Sequence, residues 1–482
     1  MRRVDFVTSK SVCYFLVLIL ISVLAYIILL DADWSLMNYG DDQQLLCSTV
    51  QGNLSHGWMG IGRLCPLGLL DYSILLIFND APTALHHFLF NVIVMAVSIL
   101  LLFRILYREG KNRGISLFFL IILSMASGFL KIHMTCICPE RFIFFLQAIY
   151  MYFWWKGSKE QSLIYYFVAW FVISYSIFTK EPIFGMVLAI SLTNLIFGWD
   201  KLTQKDKIFH IAQIMSSLVF VWIYLFAFVH TNMSFGSMYG GAFSSKKDLL
   251  DTIRFFFFQE PFLLLMLLMT IARVYMILKK SDKSCLYTDS LLFGGMAYVF
   301  AYVLMRMNSF YYVIPGIVFS LPAFSYWCGY FWKKKINVAF SIMVVCAVSM
   351  IPSVYHTRNN VLKTYECRKN DMPFVDEIVD SYLNGKKLYI FTNGVSLEKF
   401  NKYDRHLVTC GYRSWMIFLN YRMKKKVSYS NDNMIIPLKD LQRLPQHCMV
   451  LCPQDADQKD KDYLKSRFRF VRSAIGMDLY EN

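Results

Sequence analysis

The chain has 482 residues, 56% of them hydrophobic and only 17% charged, with a mean hydropathy of +0.43. A soluble domain carries about 45–50% apolar and about 25% charged residues, so a water-soluble globular protein is excluded. The net charge of +16 would suggest nucleic acid in a soluble protein, but here Lys and Arg gather between apolar runs, as the positive-inside pattern requires, and no nucleic-acid partner is expected.

After the basic start MRRVDFVTSK, residues 12–30 form an apolar run longer than a signal-peptide core and without a small-residue cleavage site, so it reads as a retained helix. Further runs fall at residues 83–103, 115–130, 142–155, 162–178, 183–198, 208–229, 255–272, 286–305, 311–331 and 337–352. The segments after even-numbered runs (RILYREGKNRG, KGSKEQ, DKLTQKDK, RVYMILKKSDKSC and FWKKKIN) are basic, and those after odd-numbered runs are less so. The alternation predicts an α-helical polytopic membrane protein of about 11 transmembrane helices, with a cytoplasmic N-terminus and odd-numbered gaps outside. Residues 64–78 are apolar but contain Pro66 and Asp71, and counting them as a span would reverse every later loop. They read as an interfacial or re-entrant helix.

Beyond Pro352 the chain turns polar. KKLYIFTNG, HCMVLCP and FRFVRSAIGMDLYEN are short β-type runs, and DMPFVDEIVDSYLNG has helical spacing with a terminal Gly. Two parts are expected: a membrane domain over 1–352, with its first outer loop at 31–82, and a small extracytoplasmic α/β domain over 353–482. The 12 cysteines show no zinc spacing and no metal site is read, although Cys47 and Cys65 share the first outer loop and could pair if that side is oxidising.

The unusual polar residues fall on the outward side. MNYGDDQQLLCSTVQGNLSHGWMGIGRLCPLG places Asp41 and Asp42 just past a membrane helix, with Trp58 and Arg63 behind them. Lys131, His133, Glu140 and Arg141 follow in the second outer gap, Lys180 and Glu181 in the third, and Arg306, Tyr311 and Tyr312 in the fifth. Charges at a membrane boundary are costly unless paired or used. Around one cavity, carboxylates would serve as bases for a hydroxyl and cations would meet a phosphate. Blander readings stand beside these: Lys180–Glu181 as an ion pair capping two helices, Arg141 snorkelling to water, His133 as a structural residue, and Asp41–Asp42 as a turn with an N-cap.

This arrangement resembles the GT-C superfamily of integral-membrane glycosyltransferases and is most similar to bacterial enzymes that decorate O-antigen or capsular polysaccharide. The resemblance rests on GDDQQ followed by GWMGIGRLCP, on the acid between runs three and four, on TKEP between runs five and six, and on RMNSFYYVIPGI. It implies an inverting transferase in the bacterial inner membrane, moving a sugar from a polyprenyl-phosphate donor to a cell-surface glycan or glycolipid acceptor. Asp41 or Asp42 would be the general base and Glu140 a second acidic site residue. Lys180 and Arg306 foremost, with Arg63, Lys131 and Arg141, would face the donor phosphate, and Glu181, His133, Tyr311, Tyr312 and Trp58 would line the substrate. No cofactor is implied, and a divalent-metal requirement stays open. The superfamily's acid is often followed by Glu, whereas here the pair is Asp-Asp, which leaves both as candidates for the base. Three rival functions remain: an O-antigen or capsule polymerase, a transporter or flippase of lipid-linked sugars, which predicts charged or broken helices at mid-membrane, and an assembly subunit in which the acids are dispensable.

Overall fold

The computed structural model describes residues 10–30, 59–60, 63–79, 84–136, 138–231, 246–280, 285–391, 435–438, 444, 447–454, 456–474 and 477–482. Asp41, Asp42, Cys47 and Trp58 lie outside the described residues, and Arg63 is described through its backbone alone. The chain groups into two compact units. One holds the described residues up to 75 and those of 86–359; the other holds those from 360 onward and those of 76–85.

The first unit is helical. Its long elements are α1 (Lys10–Leu29), α3 (Ala84–Gly110), α4 (Arg113–Met125), α5 (Ser127–Met134), α6 (Glu140–Glu160), α7 (Leu163–Thr179) and α8 (Ile183–Gly198). They continue with α9 (Gln204–Thr231), α10 (Lys246–Gln259), α11 (Phe262–Lys280), α12 (Leu286–Leu304), α13 (Ile314–Lys334), α14 (Ile336–Ser349) and the start of α15 (Ile351–Leu383), whose residues from 360 onward belong to the second unit. Ahead of α3 stand the short strands β1 (Met59–Gly60) and β2 (Arg63–Leu64), a 3₁₀ turn at Leu70–Tyr72 and the six-residue helix α2 (Ser73–Phe78). This last stretch is too short to cross a bilayer, in keeping with the interfacial or re-entrant reading of residues 64–78.

Every apolar run falls on helix, yet the count of eleven spans does not follow from length and composition. Among the described residues six helices are long and apolar enough to cross a membrane, or seven if α4 and α5, bent by 69°, form one span. Helices α7 and α8 are apolar but shorter. Helices α6 and α12 are long, but they bury Glu140, Arg141, Gln147 and Asp289 against their neighbours. A helix enclosed by protein has little need of an apolar surface all round. Two runs read as continuous are broken: 115–130 at Ala126, where the backbone is extended, and 255–272 at Glu260–Pro261. Proline pushes the residue before it out of the helical region.

Helix α13 packs tightly against two neighbours. A Cβ on Gly329 would lie 2.1 Å from the Gly110 carbonyl oxygen, and one on Gly295 would lie 2.5 Å from that of Gly316. So α13 touches α3 and α12 backbone to backbone, which only small residues allow. The Ser325 hydroxyl adds a 2.8 Å hydrogen bond to the Leu106 carbonyl.

The second unit carries β3 (Lys387–Phe391), β4 (Ile435–Leu438), β5 (Cys448–Pro453), α16 (Gln458–Arg467), β6 (Arg469–Ala474) and β7 (Met477–Glu481). The sheet order is β4-β3-β5-β7-β6, parallel across β4, β3 and β5 and antiparallel across β5, β7 and β6. Tyr389, Cys448, Val450, Cys452, Leu464, Phe468 and Tyr480 make its core. Gly385, with φ +91°, ends the helix before β3, as the terminal Gly of DMPFVDEIVDSYLNG predicts. Strand β4 and helix α16 were not anticipated from the sequence.

Candidate active site

Helix ends converge in the first unit. Lys180 caps α7, Glu140 opens α6, and Tyr302 stands in the last turns of α12. Lys180 Nζ donates to Glu140 Oε1, and both side chains are buried. The ammonium also lies 4.6 Å from the Tyr312 ring centroid, 5.7 Å from that of Tyr311 and 5.9 Å from that of Tyr302. Tyr302 and Tyr312 stack at 4.4 Å. Lys131 Nζ adds a second cation, 5.1 Å from the Tyr311 ring. These are cation–π distances, at which a desolvated ammonium is held by ring faces. The close approach depends on Gly128, where a Cβ would lie 2.5 Å from the Phe310 carbonyl oxygen. Lys131 follows it by one helical turn and so meets Tyr311.

Lys180 and Glu181, though adjacent, turn to different partners. Lys180 is extended, with φ −158° and ψ 131°, so the two side chains part, and Glu181 Oε1 accepts the Leu64 backbone N–H at 3.2 Å. Leu67 N–H donates to the Phe178 carbonyl at 3.1 Å. Together these bonds fasten the segment after β2, and with it the backbone of Arg63, to the end of α7.

The snorkelling reading of Arg141 is overturned. It is fully buried, with Nη1 2.9 Å from Asp71 Oδ2, Nε donating to the Tyr72 hydroxyl at 2.6 Å and its guanidinium 3.9 Å from the Tyr72 ring centroid. Its charge is committed to Asp71, so its expected role as a ligand of the donor phosphate gains no support from this geometry. Burial raises the Asp71 carboxyl above its ordinary range, and Arg141 beside it offsets only part of that rise. Onward from Tyr72, the hydroxyl donates to Asn91 Oδ1 at 2.9 Å and Asn91 Nδ2 to the His133 carbonyl at 3.2 Å. The His133 ring is buried beside Phe129 and Phe144, with Nδ1 2.8 Å from the Phe129 carbonyl. Arg306 follows α12 one turn beyond Tyr302, half-buried, in a left-handed conformation with φ 55°.

Several site residues carried no sequence signal strong enough to single them out. Asp71 was visible only as an acid inside an apolar stretch, and Tyr72, Asn91 and Tyr302 looked like ordinary helix residues. Glu260 was hidden in a run taken as continuous. It is buried at the α10–α11 break, where Oε1 accepts the Ser127 N–H at 3.0 Å and the Ser127 hydroxyl, and Oε2 accepts the Ser353 hydroxyl. One carboxylate thus ties the start of α5, which carries Lys131 and His133, to two other helix junctions. Among the described residues, no three His, Cys, Asp or Glu side chains gather as a metal site.

The crystal structure of ArnT from Cupriavidus metallidurans bound to undecaprenyl phosphate matches with a TM-score of 0.53 and 9% identity, over 98% of each chain. The chain has an ArnT-like fold. The Archaeoglobus fulgidus oligosaccharyltransferase, solved in complex with Zn and sulfate, matches with a TM-score of 0.46 and 10% identity, over 96% of this chain and 73% of that one. No protein-family profile and no curated protein matches the chain. The ArnT-like fold agrees with the GT-C architecture implied by the sequence resemblance. Upon that fold, the side chains of Glu140, Lys131, Lys180, Tyr311 and Tyr312 come together, joined by Tyr302.

Proposed function

We propose that the protein is an inverting glycosyltransferase that moves a sugar from a polyprenyl-phosphate donor to a glycan or glycolipid acceptor on the outer face of a bacterial inner membrane. The observation that supports it best is the meeting of Lys180, Lys131 and Glu140 with three tyrosines on the fold of a protein solved with undecaprenyl phosphate. In this reading the chain crosses the bilayer eleven times, with a cytoplasmic N-terminus and residues 353–482 outside, and the acceptor belongs to O-antigen or capsule synthesis.

Lys180 is the principal phosphate ligand. An arriving phosphate competes with Glu140 for its ammonium, and Lys131 adds a second positive charge, which gains strength as the leaving phosphate develops its own. Asp41 or Asp42, in the segment leading to β1, takes the proton of the attacking hydroxyl, and a single displacement inverts the anomeric centre. The test is transfer by the purified full chain from a synthetic polyprenyl-phosphate sugar, with the anomeric configuration of the product read by NMR. Asp41→Asn or Asp42→Asn should lower transfer by about 10²–10⁴-fold, the usual worth of a general base. Full activity in the double Asn variant overturns the chemistry. Phosphatase and fluorescent-protein fusions at residue 360 test the orientation, and a fluorescent, phosphatase-negative fusion overturns it.

A further inference from the structure

Away from the Lys180 cluster, α11, α13 and α14 enclose a groove of about 620 Å³, well inside the ~300–1,000 Å³ typical of ligand sites. Its walls are almost wholly apolar, with Leu265, Met269, Ala272, Phe324, Trp327 and Val345 prominent. Its one charged lining residue, Arg273, is already engaged: Nε and Nη2 donate to the two Asp289 carboxylate oxygens at 2.8 and 2.7 Å, and the guanidinium lies 4.7 Å from the Trp327 ring centroid. A bidentate pair of this kind neutralises the arginine, so the groove offers hydrocarbon contact rather than an anion site.

The surroundings decide what fills it. Helices α11 and α14 belong to segments long and apolar enough to cross a membrane, and their groove residues Ala272, Val338 and Val345 are exposed. In a bilayer that exposed surface meets lipid chains. At one end of the groove lies Asn337, two residues after the exposed run Lys333, Lys334 and Lys335, and Met276 lies one turn before the exposed Lys279. Cations at the mouth of an apolar slot complement an anionic head group whose chain lies within it, and each basic residue near such a surface is worth about 1 kcal/mol by general experience.

We propose that this groove is a binding site for an anionic phospholipid, with an acyl chain between α11, α13 and α14 and its phosphate at Lys279 and Lys333–Lys335. Its lining includes none of the residues of the Lys180 cluster, and the proposal does not rest on the proposed activity. It would couple the packing of α13 to the lipid composition of the leaflet on the lysine-rich side.

The test is native mass spectrometry of the purified full chain, titrated in detergent with phosphatidylglycerol or with phosphatidylcholine of the same acyl chains. The parent should retain a single phosphatidylglycerol in preference to phosphatidylcholine. Ser341→Trp and, independently, Ala272→Trp fill the slot and should lose that bound lipid. Replacing Lys333, Lys334 and Lys335 together by Gln should abolish the preference between the two lipids while a chain still binds. Equal retention of both lipids by the parent overturns the proposal, as does undiminished retention in both Trp variants, which marks unspecific annular lipid. Displacement of phosphatidylglycerol by undecaprenyl phosphate overturns it too, because the groove then belongs to the tail of the sugar donor.

Discussion

Lys180 and Glu140, forty residues apart in the chain, share one buried ion pair, and the ammonium side of it is lined by tyrosine rings. Removing one partner of a buried pair strands the other charge at a cost of about 3–5 kcal/mol, whereas replacing both together is often nearly neutral. Glu140→Gln should therefore lower stability by that order, and Glu140→Gln combined with Lys180→Met should recover most of the loss. A double-mutant cycle on unfolding in detergent measures this coupling. Simple additivity would show that the pair holds no such energy.

Tyr72 looks like a replaceable core aromatic, but its hydroxyl accepts from Arg141 and donates to Asn91. Tyr72→Phe keeps the ring under the guanidinium and orphans two buried polar groups, each at about 1–3 kcal/mol. The expected result is a clear fall in the unfolding midpoint. A variant as stable as the parent would mean that the chain from Asp71 to His133 is not held through this hydroxyl.

At the α10–α11 junction, Glu260→Gln retains a carbonyl oxygen for the Ser127 N–H, and Glu260→Ala retains nothing. Stability should fall in the order parent, Gln, Ala, by about 1–3 kcal/mol for each donor left without an acceptor. Transfer activity should follow the same order, because Lys131 and His133 ride on the helix that begins at Ser127. Equal unfolding midpoints for the Gln and Ala variants would argue against the hydrogen-bonding role.

In the sheet unit, Lys386 and Arg469 beside Glu481 hold its carboxyl below the ordinary carboxylate range, with hydrogen bonding to Lys386 the main cause and the Ser381 hydroxyl assisting. A depressed acid contributes stability that is complete above its unfolded pKa and is lost as the pH falls through the lower, folded value. Glu481→Gln should remove that acid-side dependence and cost no more than about 1 kcal/mol at neutral pH, because the pair is partly exposed. Denaturation at stepped pH values, followed by far-UV circular dichroism, reads both effects. An unchanged acid profile would exclude the group.

The elements were legible where their physics is local. Apolar runs marked the helices, β-branched and aromatic stretches marked β3, β5 and the β6–β7 hairpin, and charges at run boundaries picked out residues that meet in space. What the sequence concealed was the choice of partner. Lys180 turns to Glu140 rather than to adjacent Glu181 because the extended backbone sends neighbouring side chains apart. Arg141 stays in the interior because Asp71 arrives from a stretch whose acid seemed incidental. Of the two helix breaks, the one at Ala126 leaves hydropathy uninterrupted, whereas Gln259-Glu260-Pro261 is a short polar step with a proline inside an otherwise apolar run. Asp41 and Asp42, the residues on which the chemistry of the reading depends, lie outside the described residues.

The glycine contacts of α13 have a mechanical consequence. At Gly329 and Gly295 there is no room for even a methyl group before another main chain is met, so lengthwise travel of about 1.5 Å, one residue's rise, would drive side chains into carbonyls at two heights. Helix α13 cannot work as a piston. It is a fixed mast, set among runs that are themselves jointed, with a kink at Ala126 and an interruption at Glu260–Pro261.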